Sequence, residues 1–539
     1  MTVIQSAVST RTASYRDNRA AMLELLGEVR RLEAKVRSLS SSKKDLFTKR
    51  QQILPRARVA TLLDKGSPWL EFSTLCGLGM HEDDGQENVF GGCLIAGIGY
   101  VSGVRCAVYA NDSAIKGGML APASIGKVQR LQTIAMENKL PFVGLIESAG
   151  GNLTDMSDSF VPGGGMFYRQ GKLSALGLPQ IAVVHGSSTA GGAYIPGMSD
   201  YSILVKNNAK VFLAGAPLVK AATGEEADEQ QLGGADMHTQ VSGVGDFFAQ
   251  DDRDGLRIAR EIVAKLGWNE GRVFEEPKSF QQPRYDIDEI CGIVPVDYRQ
   301  PYDVREVIAR VVDGSDFLDF KPRYGSHTVC GWSEIEGYAC GLIGNNGPID
   351  PDGAAKAAQF IQLCCQTGTP LVFLQNTTGF LVGTHVERSG LVKHGSKFIQ
   401  AVANAPVAKI TLMIGASYGA GNYAMCGRAF EPRFVFGWPN HRVAVMGGEQ
   451  AAMVMDIIAR RKAARSGVEP DEAALQAQRE LITIKMDAAS SALYATARVW
   501  DDGLIDPRDT RKILAMTLSI NAEAERRDLN PNTFGIARM

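Results

Sequence analysis

Two stretches of this chain join an apolar run to small residues and closely spaced glycines. The first is Ile181-Ala182-Val183-Val184-His185-Gly186-Ser187-Ser188-Thr189-Ala190-Gly191-Gly192-Ala193-Tyr194, and Ile410–Tyr423 repeats the design with Gly415, Gly419, Ala420 and Gly421. Glycine lets backbone approach a ligand closely, and a helix starting there offers unpaired N–H groups to negative charge. A second small-residue turn precedes each stretch: Ser148-Ala149-Gly150-Gly151-Asn152 and Asn376-Thr377-Thr378-Gly379-Phe380. Amides aimed at one point from two such turns make an oxyanion hole, which stabilises charge developing on a carbonyl oxygen. A single Gly-Gly would be read as close strand–helix packing. Paired turns in both halves are read as function.

Other chemistries lack their residues. No G-x-x-x-x-G-K-[ST] is present, since Gly126-Lys127 is followed by Val128. The seven histidines show no metal-binding spacing, and no metal is expected in this chain. His185, at a strand end, reads as a core histidine. Lys485-Met486 lacks the methionine that would precede a biotinylated lysine, and reads as a surface residue.

The elements that must position these turns alternate. A long amphipathic helix is expected from Asp17 to Leu46, then a short one at Val59–Leu63. In the first half, apolar strands at Cys93–Tyr100 and Cys106–Ala110 precede a helix at Ala123–Asn138, a strand at Pro141–Glu147 and a helix at Phe167–Leu176. The second half repeats the order: strand Glu336–Ile343, helix Ala354–Gln366, strand Pro370–Leu374, a helix around Phe398–Asn404 and a strand from Val407. Strand–helix alternation argues for α/β units. The interval of 41 residues from Gly151 to Gly192 recurs from Gly379 to Ala420, which supports duplication. The expected division is an N-terminal domain at 1–275, a polar linker at 276–300 and a C-terminal domain at 301–539.

With 539 residues, more than one domain is the default. A formal net charge of −2 gives no support for nucleic-acid or membrane-surface binding, and no apolar run is long enough to span a bilayer. Nine cysteines without a C-x-x-C pair suit buried free thiols in a reducing compartment. The expected location is cytoplasmic, or the mitochondrial matrix in a eukaryote.

Leu54-Pro55-Arg56-Ala57-Arg58, Ser187–Asp200, Phe212–Gly224, Leu232–Asp236, Gly415–Gly427 and Arg498–Pro507 together resemble the carboxyltransferase (β) subunits of biotin-dependent acyl-CoA carboxylases, over nearly the whole chain. The closest resemblance is to the methylcrotonyl-CoA and geranyl-CoA carboxylase branch, enzymes of leucine and isoprenoid catabolism. It implies two homologous crotonase-like (ClpP/crotonase) domains, whose active site lies between the N-domain of one protomer and the C-domain of another.

By the same resemblance, Gly151 and Gly192 hold the thioester carbonyl of the acyl-CoA, with Gly150 and Gly191 beside them. Gly379 and Ala420, flanked by Gly419 and Gly421, hold the ureido oxygen of carboxybiotin. CO2 then passes to the γ carbon of a 3-methyl-branched α,β-unsaturated acyl-CoA without a side-chain nucleophile. The implied partners are a biotin carboxylase/biotin carboxyl carrier α subunit and further copies of this chain in a homo-hexamer. Biotin rides on the partner.

Gly163-Gly164-Gly165 stands where methylcrotonyl-type relatives carry a longer, charged and aromatic loop. Loss of side chains there would open the acyl pocket to geranyl-CoA, with Gly164 and Gly165 lining it; a plain surface turn is the alternative. Three further readings compete. They are carboxylation of another ester such as propionyl-CoA, a biotin-dependent acyl-CoA decarboxylase subunit, and a crotonase-type hydratase or hydrolase. The last needs an Asp or Glu base and leaves the second hole without use.

Overall fold

The structure, a computed structural model, describes residues 2–80, 90–151, 156–270, 279–467 and 469–536. Two hairpins set its plan. β2 (Leu94–Val101) and β3 (Val104–Asn111) are joined by Ser102-Gly103, both in the left-handed region at φ +49° and +77°. β10 (Thr328–Ile335) and β11 (Tyr338–Asn345) are joined by Glu336-Gly337 at +48° and +78°. Such turns match the strand twist of a two-residue hairpin. A carboxylate caps each one: Asp64 accepts from the Ser102 and Gly103 amides at 2.9 and 2.7 Å, and Asp313 accepts from Glu336 and Gly337, both at 2.8 Å.

From each hairpin the sheet continues in parallel. In the first unit the path is β1 (Leu70–Glu71), β2, β3, β4 (Phe142–Ser148), β5 (Gln180–Thr189), β6 (Tyr201–Val205) and β8 (Phe247–Ala249), with β7 (Lys210–Phe212) also on β5. In the second it is β14 (Phe434–Gly437), β13 (Lys409–Tyr418), β12 (Leu371–Thr377), β11, β10 and β9 (Leu318–Asp319), with β15 (Arg442–Ala444) on β13. Parallel strands need crossover helices. Pro122–Glu137 and Pro351–Gln366, each with proline at its start, serve as equivalent crossovers. This is the two-sheet crotonase-like α/β architecture.

Within the described residues, one unit comprises 31–270, 497–499 and 522–536, and the other 2–30, 279–496 and 500–521. In the first, Val143, Val183, Ile203 and Val205 pack with Leu256, Ala259 and Val263 of the helix Asp252–Lys265. In the second, Phe360, Ile361 and Cys364 pack on Ile343, Phe373 and Phe398. The long helix runs Ala13–Ser41, with Met22, Leu26, Val29, Leu32 and Val36 buried at three- and four-residue steps. Eight cysteines are buried and Cys365 is half-buried, all as free thiols. No helix among the described residues is long and apolar enough to cross a membrane.

The structure departs from the sequence reading in several places. The short helix starts at Pro55, where proline occupies the first turn. β10 was not anticipated, and neither was the helical pair Gly448–Ser466 and Glu472–Ser490. Gly163-Gly164-Gly165 is not a turn: it lies inside a helix, Met156–Ala175, that begins well before the expected Phe167. Gln129 explains this locally, since its Nε2 donates to the Pro162 carbonyl and would stand 2.8 Å from a β-carbon on Gly165. The glycines let this helix sit close to Pro122–Glu137, and packing overrides their poor propensity. Residues 152–155 of that segment and 276–278 of the expected linker lie outside the described residues. The rest of the linker is folded into the second unit, with Ile290, Cys291 and Val294 buried.

Candidate active site

β4 and β5 run in parallel register from Phe142 opposite Gln180 to Ile146 opposite Val184, and resume at Ser148 opposite Ser188. Two extra residues on β5 therefore bulge out. β12 and β13 do the same between Gln375 opposite Met413 and Thr377 opposite Ser417. Both bulges receive a side chain from the neighbouring strand. A β-carbon on Gly186 would stand 2.5 Å from Glu147 Cγ, and one on Gly415 would stand 2.2 Å from Asn376 Oδ1. Only glycine fits at either position.

Each bulge delivers its strand end into a turn. After β4, Gly150 takes φ +96°, its N–H meets Ser148 Oγ at 3.2 Å, and its carbonyl accepts from Leu120 at 3.0 Å. After β12, Gly379 takes φ +113°, its N–H meets Thr377 Oγ1 at 3.2 Å, and its carbonyl accepts from Ile349 at 2.9 Å. Gly150 and Gly379 are thus the same structural position, 229 residues apart.

That offset runs through the central strand pairs, β4 with β12 and β5 with β13. It pairs Thr189 with Tyr418 at the strand ends, Ala190 (φ +53°) with Gly419 (φ +55°), Gly191 with Ala420, and Gly192 with Gly421. The exposed positions agree as well: Gly191 and Ala420 are open, while Gly192 and Gly421 are buried. Matching Gly151 to Gly379 by the 41-residue interval is therefore one residue out of register. Gly151 corresponds to Phe380, as the bridges Leu120–Gly151 and Ile349–Phe380 show.

The two turns of each unit meet. A β-carbon on Gly150 would stand 3.1 Å from Thr189 Oγ1; one on Gly421 would stand 2.9 Å from Gly379 Cα. Beyond the turns the chain winds into the 3-10 turn Ala190–Ala193 and the helix Gly419–Ala424, whose first amides have no carbonyl partner along the helix. Ser188 Oγ braces the first turn by donating to the Gly192 carbonyl at 2.9 Å, and Asn422 Nδ2 braces the second by donating to Ser417 Oγ at 2.7 Å. A β-carbon would meet nothing within 4 Å at Gly151 or Gly164, and only ordinary contacts at Gly191 and Gly192.

Beneath the first turn lies a charge cluster that the sequence reading missed. Arg58 Nη1 bonds Glu147 Oε2 at 2.5 Å and its Nε bonds Asp252 Oδ2 at 3.0 Å. His185 Nδ1 donates to Asp252 Oδ1 at 2.8 Å. All four side chains are buried. Burial and the nearby Arg58 guanidinium hold His185 below its usual value, so its ring is neutral. Its Nε2 has no hydrogen-bond partner among the described residues, so the histidine is only half satisfied. Arg58 lies in the Leu54–Arg58 motif, which was the available signal; its partners lie far off along the chain. Among the described residues no three His, Cys, Asp or Glu side chains converge as metal ligands would.

Comparison with known proteins agrees with this geometry. The carboxyl transferase domain family matches residues 48–535. The chain is 46% identical, over its full length and 95% of the relative, to a probable mitochondrial methylcrotonoyl-CoA carboxylase beta chain of Drosophila melanogaster. It is also 46% identical, over all of both chains, to a probable biotin-dependent acyl-coenzyme A carboxylase beta2 subunit of Mycobacterium tuberculosis. The crystal structure of the P. aeruginosa geranyl-CoA carboxylase beta subunit superposes with a TM-score of 0.93, at 53% identity and full coverage of both chains.

Proposed function

The chain belongs to the carboxyl transferase family, as a carboxyltransferase component of biotin-dependent acyl-CoA carboxylases, and we propose that its substrate is geranyl-CoA or a similar 3-methyl-branched α,β-unsaturated acyl-CoA. The observation that carries the reading is the duplicated pair of turns, which gives one chain two sets of backbone donors. Geranyl-CoA is favoured by the 53% identity to the geranyl-CoA enzyme against 46% for the methylcrotonyl-CoA relative. 3-Methylcrotonyl-CoA is the second reading.

In the first unit, the amides of the Gly150–Gly151 turn and of Gly191–Gly192 would hold the thioester oxygen, with Gly150 and Gly191 the positions equivalent to Gly379 and Ala420. Proton loss from the γ carbon of such an ester places negative charge on that oxygen through the conjugated chain. Donors fixed before reaction stabilise that charge without reorganising. In the second unit, Gly379 and Ala420, flanked by Gly419 and Gly421, would hold the ureido oxygen of biotin. Biotin, carried by a partner subunit, supplies CO2 when bound there. The donor set fits: a neutral ureido oxygen is a hydrogen-bond acceptor, and the helix starting at Gly419 offers first-turn amides. The proposed assembly is a hexamer of this chain with biotin-carrying α subunits.

A hydratase-type base is not favoured. Glu147, the carboxylate beside the first turn, is turned inward onto Arg58 and Gln52. The test is reconstitution with a cognate biotin-carrying subunit, ATP and bicarbonate. The expected order of kcat/KM is geranyl-CoA, then 3-methylcrotonyl-CoA, then propionyl-CoA, with no ATP-dependent activity from this chain alone. Turnover of propionyl-CoA only would overturn the substrate assignment.

A further inference from the structure

Glu147 is the penultimate residue of β4, directly before the turn Ser148–Gly151, and its side chain fills the space that a side chain at Gly186 would need. Gln52 Nε2 grips both strands at this point, donating to Glu147 Oε1 at 3.2 Å and to the His185 carbonyl at 2.7 Å. The Glu147 N–H faces Asn111 Oδ1 at 3.3 Å. Asp252 closes the cluster, taking the Ile53 N–H at 2.7 Å as well as Arg58 and His185.

The second unit makes the same bulge without charge. Asn376 replaces Glu147, its N–H faces Asn345 Oδ1 at 3.4 Å, and its Oδ1 accepts from the Ala416 N–H at 3.3 Å. Ile414 stands where the first unit has His185. The bulge as such therefore needs only an amide and a glycine. Burying an ion pair carries a desolvation cost that is often not recovered as stability, but a fully bonded polar cluster fixes one geometry. We infer that the Arg58–Glu147 pair, with Asp252, His185 and Gln52 around it, is the positioning device that sets where the Gly150–Gly151 turn presents its amides. This rests on the reading of that turn as the acyl-side hole.

The test uses the reconstituted complex and the variant Glu147→Gln, whose amide the second unit shows to be compatible with the bulge. Steady-state kinetics with geranyl-CoA should show kcat lower by about ten- to a hundredfold with KM within about threefold, because the hole acts on the developing charge. Titration calorimetry with geranyl-CoA on the same preparation counts competent sites. A positioning role leaves that stoichiometry at the wild-type value. Gln52→Leu, at a half-buried site, removes both bonds to the bulge and should shift kcat the same way. Arg58→Lys keeps the charge but loses the forked geometry, and should fall between. Wild-type kcat in both Glu147→Gln and Gln52→Leu would overturn the inference. So would a fall in kcat matched by an equal fall in binding sites. A wild-type complex that carboxylates no acyl-CoA would instead overturn the functional reading beneath it, and that result needs no variant.

Discussion

Gly379 and Gly421 touch backbone to backbone: a β-carbon on Gly421 would stand 2.9 Å from Gly379 Cα and 3.0 Å from Thr377 Cγ2. The second hole is therefore built by contact between its own two turns, and Gly421 is needed for assembly of the site. Gly421→Ala should destabilise the protein by about 1–3 kcal/mol, the usual cost of overpacking, read as a fall in denaturant midpoint. An unchanged midpoint would show that the turns can move apart freely.

The neighbouring residue separates chemistry from folding. Ala420 is exposed, so Ala420→Phe should leave the thermal midpoint within about 2 °C while its ring blocks access to the turn's amides and lowers kcat by about a hundredfold or more, as much as losing an oxyanion donor would. Gly191→Phe, at the equivalent position of the first unit, should behave alike. Full activity in either variant would remove that turn from the mechanism.

Gly164 is exposed inside the helix Met156–Ala175, and a β-carbon there meets nothing. Gly164→Ala should stabilise the protein by about 1 kcal/mol through helix propensity alone. If this face borders the acyl chain, Gly164→Leu lowers kcat/KM for geranyl-CoA several-fold more than for 3-methylcrotonyl-CoA. Equal effects on the two esters would place the face away from the pocket.

Asp501 and His441 are both fully buried, with Asp501 Oδ2 and His441 Nε2 3.9 Å apart. Burial pushes Asp501 up to about 7 and His441 down to about 4, so near pH 6 neither is charged. For Asp501 the folded state binds the proton that the unfolded chain releases from its ordinary 3.8, so its contribution to stability falls as pH rises from 3.8 through about 7. Asp501→Asn should therefore raise the thermal midpoint by several degrees at pH 8, with the gain closing as pH approaches 4. A gain independent of pH would assign the effect to packing.

The duplication was legible because apolar strand runs and glycine turns recur in order. Its register was not. Glycine occurs at both 150 and 151 and at both 191 and 192, so residue type alone cannot choose between neighbours. The choice is made by backbone conformation, φ +96° at Gly150 against +113° at Gly379, and by strand pairing. Gly163–Gly165 read as a turn because local propensity says so, whereas Gln129 and Ile125 on the adjoining helix make it helical. Arg58, Glu147, His185 and Asp252 could not be grouped from spacing, since only the folded sheet brings them together.

In the proposed reaction a thioester-stabilising hole delivers charge to the γ carbon of a branched unsaturated acyl-CoA. The most direct test is carboxylation of geranyl-CoA by the reconstituted complex with ATP and 13C-bicarbonate, followed by NMR of the product. The expected product carries a labelled carboxylate bonded to the γ carbon. Label at the α carbon, or none in geranyl-CoA while propionyl-CoA is labelled, would contradict it.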